Sequence, residues 1–260
     1  MTGVKEVLAD IAALLALTEA YLWTTVLVFI RVGAVVAMLP GFGDAAVPQR
    51  VKLALVIAFT MLVAPLRAES DLPPPGFLPL AGEAAAGLIL GIGLRLLFLA
   101  LQTAAAIIAQ ATTLSQLFAG AAPEPQPAIG NLFLIAGTAL ALHLGLPVQA
   151  AKLILLSYDI LPAGGVPDAA VLADWGVGLA AQSFSLAFSL AAPFVIASMI
   201  YNLALGAINR AMPQLAVSMV GAPALTLGGL ALLAVATPLL LAVWLEAFQA
   251  FLADPFTVPK

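Results

Sequence analysis

The sequence predicts an all-α membrane protein built from about six long, proline-interrupted hydrophobic helices. Three observations carry that reading. Of 260 residues, 63% are hydrophobic and 8% charged, with a mean hydropathy of +1.15; soluble domains carry about 25% charged residues. Neither Trp175 to Asn209 nor Ala211 to Leu245 contains an Asp, Glu, Lys or Arg, so Arg210 is the single charge in 71 residues. Each 35-residue arm, at about 1.5 Å per residue, outreaches the roughly 30 Å hydrocarbon core of a bilayer. Finally, prolines recur at Pro147, Pro193, Pro223 and Pro238, inside or between apolar runs.

Composition also excludes whole classes of function. Nine basic and 13 acidic side chains, a net charge of −4, leave no basic surface for nucleic acid. With no cysteine, disulfides, thiolate metal sites and thiol catalysis are absent. Lys5, Glu6, Asp10 and Glu19 do not make the basic leader of a secretory signal.

From the N-terminus, Val4, Val7, Leu8, Ile11, Leu14 and Leu15 recur at helical spacing. They predict an amphipathic helix to Leu17, at an interface or against partner subunits. Thr18 is placed to N-cap a first span, Ala20–Leu39. That span contains Arg31, which either snorkels or faces protein and water. Pro40-Gly41-Phe42-Gly43-Asp44 is a turn, and Val51–Leu66 a second run, short for a straight crossing. Pro73, Pro74, Pro75 and Pro79 make a stiff extended connector. Glu83 opens a long helix to Gln110, with Gly87, Gly91 and Arg95 at four-residue spacing. Small residues so spaced let helices approach closely, against another subunit or within the chain.

Pro123, Pro125 and Pro127 prevent a continuous helix beyond Pro123, so residues 111–129 are an external loop or line a pore. Ala128–Leu146 is a fourth run; its lone His143 reads as a packed, neutral imidazole. Pro147 is expected to interrupt it, leaving Val148–Leu161 as a re-entrant or packed helix. Pro162 to Pro167 is a loop, and Asp168 and Asp174 flank the next helix start. The two uncharged arms follow and turn at Arg210–Gln214, where Pro213 ends the helix. Arg210 reads as a head-group cation. Pro193 is expected to break the first arm, and Pro223 and Pro238 to break or kink the second. Trp244 with Glu246 marks an interfacial end. Basic residues fall three on one side and four on the other, which sets no orientation. At least one of Arg31 and Arg95 is expected to be buried against a carboxylate or helix-end carbonyls, because an unpaired cation in an apolar run is costly.

No catalytic constellation emerges. The single His has no acid at useful spacing, no carboxylate pair sits within an apolar run, and no GxxxxGK[ST] phosphate loop exists. Channel, carrier and membrane scaffold all remain open.

Phe29-Ile30-Arg31-Val32-Gly33-Ala34, Leu39-Pro40-Gly41-Phe42-Gly43 and Val47-Pro48-Gln49-Arg50-Val51-Lys52, in that order, resemble the opening signature of the FliR/SctT family. These are export-gate proteins of bacterial flagellar type III secretion and its virulence relatives. Glu83…Gly87…Gly91…Arg95, the stretch His143…Ser157-Tyr158…Pro162-Ala163-Gly164, and Asn209-Arg210-Ala211-Met212-Pro213-Gln214 continue the likeness, which covers about Tyr21 to Leu230.

The resemblance implies a non-enzymatic subunit of the bacterial inner membrane and flagellar basal body, without cofactor or metal. Its expected partners are FliP-like and FliQ-like gate subunits, an FlhB-like switch protein, membrane lipid, and exported proteins in transit. It implies that residues 1–165 form a FliP-like part and 166–260 a FliQ-like helical hairpin. It also implies that the gate sits largely above the membrane plane, so that hydropathy overstates true spanning. Leu114, Leu117 and Phe118 become candidate pore-plugging side chains in a loop at Ala111–Pro127. Arg31, Pro40, Pro48, Arg50, Glu83, Arg95, Arg210, Pro213 and Gln214 become candidate structural or assembly residues. The alternatives are a secondary transporter for a small solute, favoured by broken helices, and a membrane scaffold.

Overall fold

The computed structural model describes residues 2–67, 72–112, 128–212 and 217–257. Helices α1 (Thr2–Met38), α2 (Gln49–Val63), α3 (Phe77–Thr112), α4 (Ala128–His143), α5 (Leu146–Ile160), α6 (Ala169–Ala211) and α7 (Val217–Ala253) follow one another, with no strand among the described residues. A short 3-10 turn, Ala64–Arg67, extends α2. Five helical stretches are long and apolar enough to cross a membrane, or six if α4 and α5 make one broken span. The chain divides into two compact units, Met1–Arg95 with Gly145–Asp174, and Leu96–Leu144 with Trp175–Lys260.

The first unit is organised by one face of α1. Leu27, Val28, Arg31, Val32, Val35, Val36 and Leu39 recur every three or four residues and are all buried. Gly87 and Gly91 of α3 lie against this face. A Cβ on Gly91 would stand 2.5 Å from Cβ of Met38, and one on Gly87 would overlap the Arg31 carbonyl and Ala34. The glycine spacing therefore serves packing within the chain at these two positions. The turn after α1 is closed by the Gly43 N–H donating to the Leu39 carbonyl (2.7 Å), and Lys52 Nζ donates to the Gly43 carbonyl (2.8 Å). The connector is anchored by Trp23, whose indole N–H donates to the Pro73 carbonyl at 2.8 Å.

The second unit is centred on Trp244 of α7, which is fully buried with Phe98 and Phe248. Phe98 meets Trp244 edge-on at 5.1 Å, and Phe248 stacks on Trp244 at 5.3 Å. The indole N–H donates to the Leu97 carbonyl at 2.8 Å, so the buried polar end of the ring is satisfied. Trp175 in α6 likewise donates to the Pro255 carbonyl at 3.0 Å, tying the start of α6 to the segment after α7.

Several sequence-based boundaries change. α1 runs unbroken through Thr18, whose hydroxyl donates to the Leu14 carbonyl one turn back instead of capping a new helix. α6 passes through Pro193 without a break, and α7 is continuous through Pro223 and Pro238. A proline removes one ladder hydrogen bond, whereas ending a helix in an uncharged arm would strand several peptide groups. The break before α5 belongs to Gly145, in the left-handed region at φ +74°; Pro147 sits in the first turn of α5, where a missing N–H costs little. His143 is exposed rather than packed. Trp244 is a core residue, not an interfacial marker. α6 ends at Ala211 and α7 starts at Val217, while Pro213 and Gln214 of the expected turn lie outside the described residues.

Candidate functional site

The charged centre of the first unit grows from a sequence oddity, an arginine on the apolar face of α1. Arg31 is 0% exposed, and so is Glu83, which the close approach at Gly87 brings opposite it. Arg31 Nε donates to Glu83 Oε2 at 2.7 Å, and a terminal nitrogen donates to Oε1 at 3.1 Å. This is the fork geometry that suits guanidinium and carboxylate.

Two further donors of the guanidinium are used as well. The other terminal nitrogen of Arg31 donates to Ser157 Oγ at 2.9 Å, and the Leu161 carbonyl accepts from the guanidinium at 3.0 Å. Leu161 is the C-cap of α5, so the cation meets the negative end of that helix. The guanidinium also lies 3.6 Å from the centre of the Tyr158 ring. On the acid side, the Tyr158 hydroxyl donates to Glu83 Oε2 (3.2 Å), and the Gly164 N–H donates to Oε1 (2.7 Å).

Gly164 can serve there because it is glycine. Its φ of +70° lies in the left-handed region, and a Cβ would stand 2.6 Å from Cγ of Pro73. At the margin of the cluster, Arg67 approaches Asp159 at 3.5 Å and the Tyr158 ring at 4.7 Å. The arrangement joins α1, α3, α5 and the loop after α5 through one neutral pair. It has no open face where a substrate could reach the charges, because Arg31, Glu83, Ser157 and Tyr158 are all buried. Its chemistry is that of a clamp. Among the described residues, no group of three His, Asp or Glu side chains converges to hold a metal ion.

The structure therefore brings together two of the sequence candidates, Arg31 and Glu83, and meets the expectation of one buried, paired arginine. Arg95 is exposed on α3, Arg50 is exposed at the start of α2, and Arg210 is exposed in the last turn of α6. Pro40 is buried in the turn after α1, and Pro48 is the N-cap of α2. Leu114, Leu117, Phe118, Pro213 and Gln214 lie outside the described residues. Ser157, Tyr158, Leu161 and Gly164 received no role from the sequence. For Ser157 and Leu161 the signal that could have found them is arithmetic: a buried guanidinium has five N–H donors, and one carboxylate cannot satisfy them all.

Residues 22–251 match the family described as bacterial export proteins, family 1. The chain is 36% identical to the flagellar biosynthetic protein FliR of Caulobacter vibrioides, over 92% of this chain and 98% of that one. It is 30% identical to FliR of Escherichia coli K12, over 85% of each chain. FliR of Aquifex aeolicus is 29% identical over 90% of this chain and 93% of that relative. With the match running through nearly all of its helices, the chain belongs to the bacterial export proteins, family 1.

Proposed function

We propose that the chain is a non-enzymatic subunit of the flagellar type III export gate, assembling with FliP-like and FliQ-like subunits into a channel for exported flagellar proteins. The observation that carries this is the end-to-end likeness to proteins named FliR, 36% identical over 98% of one relative. A place in the bacterial inner membrane at the flagellar basal body, beside an FlhB-like protein, belongs to the same proposal. So does the division into a FliP-like part (1–165) and a FliQ-like hairpin (166–260).

Helix length supports a subunit covered by other proteins. The uncharged stretch of α6, Trp175–Asn209, is 35 residues of continuous helix, about 52 Å long. Fitting it within about 30 Å of hydrocarbon would need a tilt of roughly 55°, beyond the range of about 0–40° seen for membrane helices. Coverage of part of this apolar surface by other subunits would account for that length, which supports the reading. In α7, only 6% of the most apolar stretch is buried by the chain itself. The buried clamp contributes rigidity and no reaction.

The test is deletion of the gene in its own flagellated host, followed by complementation. Loss of flagellin export, restored by the chain, and co-purification with FliP-like and FliQ-like subunits are expected. Normal export in the deletion strain would return the solute-carrier reading.

A further inference from the structure

Within the second unit, the burial of α6 stops at one residue. Every side chain of α6 that the chain buries lies between Trp175 and Phe194. Among the described side chains of α7, the buried ones are Leu240, Trp244, Phe248 and Phe251, with Leu225 alone before them. The two uncovered lengths lie side by side, because Ala197, Ser198 and Tyr201 share a cavity with Leu225, Gly228 and Leu232.

Surface chemistry changes at the same level. Before Phe194, α6 exposes Gln182, Ser185 and Ser189 among its apolar side chains. Beyond it, Val195, Ile196, Met199, Ile200 and Leu203 are exposed, and the adjacent stretch of α7 exposes Leu227, Leu230, Val235 and Leu239. Polar side chains there turn to their own helix. The Asn202 amide donates to Ser198 Oγ at 3.3 Å, and the Thr237 hydroxyl donates to the Leu233 carbonyl at 2.6 Å. Neither length carries a charge until Arg210, which is exposed in the last turn of α6.

We propose that these two lengths are the part of the second unit embedded in membrane lipid, with hydrocarbon beginning near Phe194 and Leu240 and Arg210 binding lipid phosphate at the far side. Length fits. Residues 195–210 make about 24 Å of helix and residues 217–239 about 34 Å, either side of the roughly 30 Å of hydrocarbon in a bilayer. The flexible stem of Arg210 carries its guanidinium outward to the head-groups, where phosphates supply the acceptors. Water is a poor cover for so apolar a surface. A packed membrane helix favours small residues at its contact, whereas Ile196, Met199, Ile200 and Leu203 are bulky. The half of α6 before Phe194 then stands outside hydrocarbon, which removes the excess of helix over bilayer thickness. The inference rests on the membrane character of the chain and not on its place in an export gate.

The chain has no cysteine, so single sites can carry a spin label. Phe184→Cys, Met199→Cys, Leu203→Cys and Leu230→Cys are each labelled in the full chain. The chain is reconstituted, with whatever subunits it retains, in vesicles of phosphatidylethanolamine and phosphatidylglycerol. Collisions of the label with oxygen, which concentrates in hydrocarbon, are compared with those of a water-soluble nickel chelate. Oxygen is expected to dominate at positions 199, 203 and 230, and not at 184. Few collisions with either reagent at the three distal sites would mean that protein covers them, and an excess of nickel that water does; either result overturns the proposal. Oxygen dominating equally at position 184 overturns the boundary at Phe194. Arg210→Leu is expected to shift the depth of the label at position 203, and Arg210→Lys to leave it where the native arginine holds it. A label that Arg210→Leu does not move overturns the phosphate contact. The gate assignment is judged separately, by export in the host.

Discussion

Arg31 and Glu83, 52 positions apart, form a two-pronged ion pair in which neither side chain is exposed to solvent. A buried pair of this kind stabilises the fold only while both members remain. Taking two charges out of water costs about as much as their attraction returns, and a lone survivor is strongly unfavourable. Arg31→Leu or Glu83→Leu is expected to lower stability by about 3–5 kcal/mol. The double change to Leu is expected to recover a large part of that loss. Thermal unfolding of the four proteins in one detergent decides it. A double variant no more stable than either single one would show that the hydrogen bonds to Ser157, Gly164 and the Leu161 carbonyl matter more than charge neutrality.

The close approach of α3 to α1 depends on Gly87. A methyl group there would overlap the Arg31 carbonyl and Ala34, so Gly87→Ala should cost about 1–3 kcal/mol through forced separation. Gly176 in α6 has open space around its Cα, and Gly176→Ala should be neutral or stabilise by about 0.5–1 kcal/mol. Comparing the melting temperatures of the two variants tests the packing argument, and equal effects would defeat it.

Two left-handed glycines should respond differently to asparagine, the side chain that best tolerates that backbone region. Gly145, at φ +74°, has nothing within 4 Å of an added Cβ, and Gly145→Asn should be accepted. Gly164, at φ +70°, is crowded by Pro73 and Pro79, and Gly164→Asn should disturb the loop that donates to Glu83. The readout is limited proteolysis in the loop at 162–167, with faster cleavage expected only for the Gly164 variant.

In the second unit, Trp244→Ala should cost about 3–5 kcal/mol by opening a cavity beside Phe98 and Phe248. Trp244→Phe keeps much of the volume but removes the indole hydrogen bond to the Leu97 carbonyl, which keeps its helical partner in α3, so the loss should be about 0.5–1.5 kcal/mol for one net hydrogen bond. Denaturation in mild detergent should therefore rank native above Phe above Ala. A phenylalanine variant as stable as the native chain would mean that the hydrogen bond is dispensable.

The sequence by itself determined the class and the turning points. A charge-poor chain with two uncharged 35-residue arms has no soluble option, and the first of those arms ends, as a helix, at Ala211, beside the charge that separates them. It also singled out Arg31, because a cation in an apolar run must find acceptors. It did not determine which prolines end helices. Pro193 and Pro238 are accommodated inside α6 and α7, since stranding several peptide groups costs more than losing one hydrogen bond. Nor did it separate a subunit-packing glycine stripe from one used within the chain. Gly87 and Gly91 have the same spacing in either case, and only the position of α1 decides. Ser157 and Tyr158 as partners of Arg31, and Gly164 as a partner of Glu83, were invisible for a related reason. Their contacts join residues far apart in the chain, 126 positions for Arg31 and Ser157, and helical periodicity reports which face of a helix is apolar, not which distant helix will cover it.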